Sequence, residues 1–192
     1  MKKYIAFVFI PCFILLVACN NAGNDTVEKA DSANKAKSDS SDTGKSIATD
    51  EKSSAFLVRA ANSGMAEVQL AKIAQQKATV GAVKEFASML EKDHSAANSA
   101  VKDFAAQRNV TLPDSISNDK QKMIADCEKK TGKEFDKEYI SAMIRSHKDG
   151  IDLFEDIRSN SSDIDVKNFA DKTLPTLKMH LDSAQAIQKR YW

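Results

Sequence analysis

At 192 residues the chain has room for one ordinary domain and a targeting segment, but not for two large domains. The 28 Lys and Arg nearly balance the 27 Asp and Glu, for a formal net charge of +1, which removes the electrostatic case for a nucleic-acid partner. Strand-forming residues are scarce and there are only 6 glycines, so the composition favours an all-α fold.

The chain opens on Met1-Lys2-Lys3, followed by an apolar run from Tyr4 to Val17 that only Pro11 interrupts. A positive start, a run too short to span a bilayer and a small-residue end predict a secretory signal over residues 1–18. Leu16-Val17-Ala18-Cys19 resembles the lipobox of bacterial lipoproteins, and that resemblance implies cleavage before Cys19 and lipidation of its thiol. Loss of Lys2 and Lys3 with the signal takes the mature chain to −1. Several acyl chains, at about 0.8 kcal/mol per buried methylene, would make the membrane a lasting partner. The expected location is the cell envelope of a Gram-negative-type bacterium, on the outer side of the inner membrane or at the outer membrane. Residues 19–50 contain no aromatic side chain and are dense in Ser, Asn, Asp, Lys and Ala, a composition that predicts a disordered tether.

Helical periodicity then runs through residues 51–192. The first predicted helix, 53–78, carries Phe56, Ala60, Glu67, Leu70 and Ala74 on one stripe. The second, 82–108, aligns Val83, Phe86, Leu90, His94, Val101 and Phe104. Pro113 breaks a long connection that holds a short helix near 119–130. The third long helix, 134–159, follows Thr131-Gly132-Lys133-Glu134, which has the Thr-x-x-Glu form of a capping box. The fourth, 163–191, aligns Thr173, Leu177, His180, Ala184 and Ile187, and Pro175 inside it predicts a kink or an interruption. Two hairpins with brief turns and one long connection fit a ferritin-like four-helix bundle with a crossover, or an up-down bundle with a long loop. Cys127 is the one cysteine in this part of the chain, so it has no partner for an internal disulfide and reads as a small buried side chain.

All three histidines of the chain fall mid-helix on apolar stripes, and Glu67 takes the matching position on the remaining helix. Glu67 lies 12 residues before Thr79 and His94 lies 13 after Gly81, which puts both roughly 18–20 Å from their shared turn. His147 and His180 also fall near mid-height. Four inward polar groups at one level fit a transition-metal site for Zn, Cu, Fe or Mn made of Glu67, His94, His147 and His180. They fit equally a buried hydrogen-bond and ion-pair network. Glu91 and Asp93 stand beside His94 as candidates to orient it. Glu91-x-x-His94 has the spacing of di-iron bundles, but Ile144 and Leu177 stand where the second such pair would need a carboxylate. Met65, Met89, Met143 and Met179 lie near the four positions, a pattern open to copper or to ordinary core filling. No phosphate loop, nucleophile motif or substrate cleft is readable, which makes an oxidase or hydrolase using these residues the weakest reading.

Phe56-Leu57-Val58-Arg59-Ala60-Ala61 with Gly64 and Glu67, Asp93-His94, Leu112-Pro113, Phe135-Asp136 with Tyr139, Met143 with His147, and Lys172 to Leu177 with His180 form an ordered set. The set resembles the DUF4142 family of ferritin-like, predicted outer-membrane or secreted bacterial proteins, over about residues 52–189. The resemblance implies a ferritin-like bundle and places Glu67, His94, His147 and His180 on pattern positions, without implying a reaction. Two functions lead, a metal-binding envelope lipoprotein and a non-enzymatic structural or interaction module of the envelope, with an oxidase or hydrolase the third.

Overall fold

The computed structural model describes residues 25–39 and 50–192. The expected signal at 1–18, Cys19 with its expected lipid, and residues 20–24 and 40–49 of the expected tether lie outside the described residues. The described residues form six helices and no strand: α1 (Thr26–Asp39), α2 (Glu51–Lys77), α3 (Gly81–Gln107), α4 (Asn118–Glu128), α5 (Gly132–Asn160) and α6 (Ile164–Tyr191).

Side-chain caps and turn contacts fix the ends of the four long helices. Asp50 caps α2 by accepting from the Ser53 amide at 2.7 Å, and it also accepts from the Ser162 amide and hydroxyl in the α5–α6 turn. Asp136 of α5 does the same at the other end, accepting from the amides of Thr79 and Val80 and from the Thr79 hydroxyl. It thereby serves the start of α3, whose own N-cap, Val80, has no side chain to do so. α3 ends with Asn109 at a φ of 54°, and the Val110 amide reaches back to the Ala105 carbonyl at 2.9 Å, as in a Schellman closure. Asp163 caps α6.

One local expectation fails, and one of the two alternatives at Pro175 is excluded. Thr131 makes no side-chain cap bond, so the capping box does not form; α5 begins instead through Gly132 at a φ of 56°, which a residue without Cβ adopts freely. Pro175 does not interrupt α6, which runs continuously past it. The proline removes one backbone donor, and packing on both sides holds the helix together: Leu174 and Leu177 are buried.

Contacts at the helix ends decide the topology. Ser53 and Ser161 hydroxyls meet at 2.6 Å, so α2 starts where α5 ends. Thr79 on Asp136 puts the end of α2 beside the start of α5. Arg108 pairs with Asp163 through two guanidinium nitrogens, so α3 ends where α6 begins. Helices α2 and α5 are therefore antiparallel neighbours, as are α3 and α6. The chain must cross the length of the bundle between α3 and α5, with α4 packed on α2 and α5 along the way. This is the crossover arrangement and not the up-down one.

The reading of residues 19–50 as one disordered tether needs correction. Thr26–Asp39 forms a helix against α2 and the crossover. Ala30 is its buried apolar contact. Polar bonds do the rest: Asn34 exchanges two hydrogen bonds with the Thr111 backbone at 2.6 and 2.9 Å, and Lys37 reaches the Asn109 carbonyl and the Thr111 hydroxyl. Asp25 accepts from the Asn118 amide. The segment lacks the apolar area to fold alone, but here it satisfies exposed backbone groups of the crossover.

The core is split in two. One cluster, around Leu70, Phe86, Leu90, Phe135, Tyr139 and Ile140, fills the end near the α2–α3 turn. The other, around Phe56, Val101, Phe154, Ile157, Val166 and Leu174, fills the opposite end. A polar layer lies between them.

Candidate metal centre

That layer is made by Glu67, His94, His147 and His180, all buried, one from each long helix. Mid-helix placement leaves each side chain no free backbone N–H, so the four find partners in one another and in the groups just behind them. His94 Nε2 lies 3.4 Å from His147 Nε2, and His147 Nε2 lies 3.3 Å from His180 Nδ1. The ring centroids form a nearly equilateral triangle with sides of 5.3, 5.4 and 5.3 Å. A nitrogen from each ring lies within 4.8 Å of those of the other two.

The opposite nitrogen of each ring faces an acceptor. His94 Nδ1 is 2.9 Å from Glu67 Oε2, His147 Nδ1 is 2.9 Å from the Met143 carbonyl, and His180 Nε2 is 3.0 Å from Asp93 Oδ2. A neutral imidazole carries one proton, and in each ring an oxygen claims it. The three facing nitrogens are then bare lone pairs with no donor among them. One added proton can bridge a single pair, whereas one cation at the centre satisfies all three. With bonds of about 2.0–2.1 Å to imidazole nitrogen, donors in a tetrahedral site stand roughly 3.3–3.4 Å apart, which matches the two contacts made by His147 Nε2.

The electrostatics describe a Glu67–His94 ion pair beside two imidazoles that burial disfavours as cations. Burial would raise the Glu67 carboxyl, but the facing His94 charge and hydrogen bond hold it well below the usual carboxylate range, with help from His147 and the Ser146 hydroxyl. Burial pulls His94 down, and its pairing with Glu67 more than offsets that, so it binds a proton more readily than a free imidazole. Burial dominates at His147 and lowers it. Burial likewise lowers His180 to about 4, against the pull of Asp93 and with the repulsion of the other two imidazoles.

The sequence placed all four polar residues in one layer, and the structure brings them together, but with altered roles. Glu67 stands behind His94 instead of facing the centre; its other oxygen is 4.0 Å from His147 Nδ1, on the far side of that ring. Asp93 orients His180 and not His94, because its side chain leaves α3 toward α6. Glu91 takes no part: it accepts from Gln75 at 2.6 Å and lies 3.7 Å from Lys72, on the outer face of the α2–α3 hairpin. The methionines do not act as a set. Met179 is 43% exposed, Met65 lines a surface groove with Val68 and Lys72, and Met143 contributes its carbonyl. Ser146 and the Met143 carbonyl escaped sequence reading. The carbonyl had a signal, since a helical histidine has its i−4 carbonyl within reach.

A cavity of about 40 Å³ adjoins the centre, walled by Glu67, His94 and His147 and, toward the Phe154 end, by Ala60, Ala97 and Gly150.

The model of the family "Domain of unknown function (DUF4142)" matches residues 30–187, and the chain belongs to that family. The matched region begins inside α1, in keeping with the docking of that helix on the bundle. No curated protein matches the chain. Among solved structures, one described as CopM in the Cu(II)-bound form shares the fold: its TM-score is 0.64 at 16% identity, over 73% of this chain and 97% of that one.

Proposed function

We propose that this DUF4142 member binds one transition-metal ion through His94 Nε2, His147 Nε2 and His180 Nδ1. The observation that carries the reading is the convergence of three imidazoles, one nitrogen of each within 4.8 Å of the others and each ring held from behind by an oxygen acceptor. Metal-bound histidines commonly donate their second N–H to a carboxylate or a carbonyl in this way, which sets tautomer and ring direction. Among divalent ions, three imidazoles favour Cu(II) in the general affinity order, and Zn(II) follows. The copper-bound form of the structural neighbour makes Cu(II) the first ion to test. In the same reading Cys19 carries the lipid anchor, the protein stands on the outer face of an envelope membrane, and its work is metal binding rather than turnover.

The test is metal content and loading of the untagged full chain, purified in detergent. One equivalent of Cu(II) or Zn(II), lost in His147→Ala and His180→Ala variants that keep their helical signal, is expected. A chain that takes up neither of these ions, nor Mn(II) or Fe(II), would make the layer a proton-bridged network. Mass spectrometry of the mature N-terminus tests the anchor, for which an unmodified Cys19 is the contrary result.

A further inference from the structure

We infer that the metal site is open on one side, and that the adjoining cavity holds a small exogenous ligand of two or three non-hydrogen atoms. This rests on the three-histidine reading above. Three protein donors leave a four-coordinate ion one ligand short, the arrangement of sites that bind an external molecule and not of closed structural ones. Glu67, the nearest carboxylate, is engaged by His94 and Ser146 and so is not free to close the site.

The space beside the centre is partly enclosed. The cavity of about 40 Å³ is walled by His94 and His147 themselves. A single water needs about 10–15 Å³ measured this way, so the chamber takes a molecule somewhat larger. Gly150 of α5 is one of the lining residues, and a Cβ there would have no atom within 4 Å. Glycine in a helix interior costs about 1 kcal/mol relative to alanine, and no close neighbour at Gly150 requires it. The walls from Ala60, Ala97 and Leu177 are apolar, whereas Glu67 and Ser146 supply the polar side. Such a chamber suits a compact ligand that binds the ion end-on and presents one polar atom to the wall.

Azide is the probe. The full chain is loaded with Cu(II), its metal content is measured, and azide is titrated while absorption and the electron paramagnetic resonance spectrum are followed. A saturable 1:1 charge-transfer band with altered copper hyperfine splitting is expected. Gly150→Leu, which fills the chamber from α5, and Ala97→Leu, which fills it from α3, should weaken azide at least ten-fold and leave copper stoichiometry at one. A copper-loaded chain with no spectral response to azide would overturn the inference while leaving the metal reading intact. So would unchanged azide affinity in whichever of the two variants keeps its helical signal and its copper. A chain that binds no metal would fail both.

Discussion

Replacing Glu67 with Gln separates a residue that orients a ligand from a ligand. The Glu67 carboxylate faces the Nδ1 of His94 at 2.9 Å, and the nitrogen that points to the centre is Nε2. Glutamine keeps an acceptor oxygen on a side chain of the same length but removes the charge. A carboxylate that acts only by holding the His94 ring predicts a loss of about 10–100-fold in metal affinity, which is about 1.4–2.7 kcal/mol. The assay is competition with a chromophoric chelator of known affinity at fixed pH and salt, on protein whose helical content matches the parent. His94→Ala, which removes a ligand, should abolish stoichiometric binding under the same conditions. The reasoning is refuted if Glu67→Gln is as damaging as His94→Ala, because Glu67 would then coordinate directly. It is refuted equally if Glu67→Gln leaves the affinity unchanged, because the contact with His94 would then do nothing for the site.

Two further outcomes test the scaffold. Asp50 ties the start of α2 to the α5–α6 turn; burial would raise its carboxyl, but hydrogen bonds from Ser162 and Ser53 hold it well below the ordinary value. A lowered folded-state pKa contributes stability that is present above the unfolded value of about 3.9 and is lost as pH falls below it. Asp50→Asn should therefore cost about 1–2 kcal/mol near neutrality, in line with a lost cap, and the difference from the parent should shrink in denaturant melts below about pH 4. A difference that persists unchanged at acid pH would refute it. Burial pushes the Cys127 thiol up to about 11, so the native chain should resist iodoacetamide at pH 8 and react once unfolded. Rapid labelling of native protein, read by mass spectrometry, would contradict the buried placement.

Much of this fold was written in one-dimensional pattern. Helix ends came within a few residues because 3.6-residue periodicity and short turns are local properties; α3, expected at 82–108, spans Gly81–Gln107. The crossover was one of two options, since a long connection fits either topology. It took Asp136 against Thr79 and Arg108 against Asp163 to show which helix ends lie together. The helix at Thr26–Asp39 was invisible for the same kind of reason, as its bonds run to Thr111, Asn109 and Asn118, far away in sequence.

The sequence by itself determined the level of the site. One polar residue per helix at matching distances from the turns, on stripes otherwise apolar, can go nowhere but the centre, because a buried charge or imidazole without a partner is too costly. Tertiary structure alone decided which atom of each group faces inward. Side-chain rotation and the crossing of neighbouring helices turned Glu67 and Asp93 behind His94 and His180 and put the Met143 carbonyl behind His147. That choice turns a carboxylate-and-histidine layer into three imidazole nitrogens that face one another.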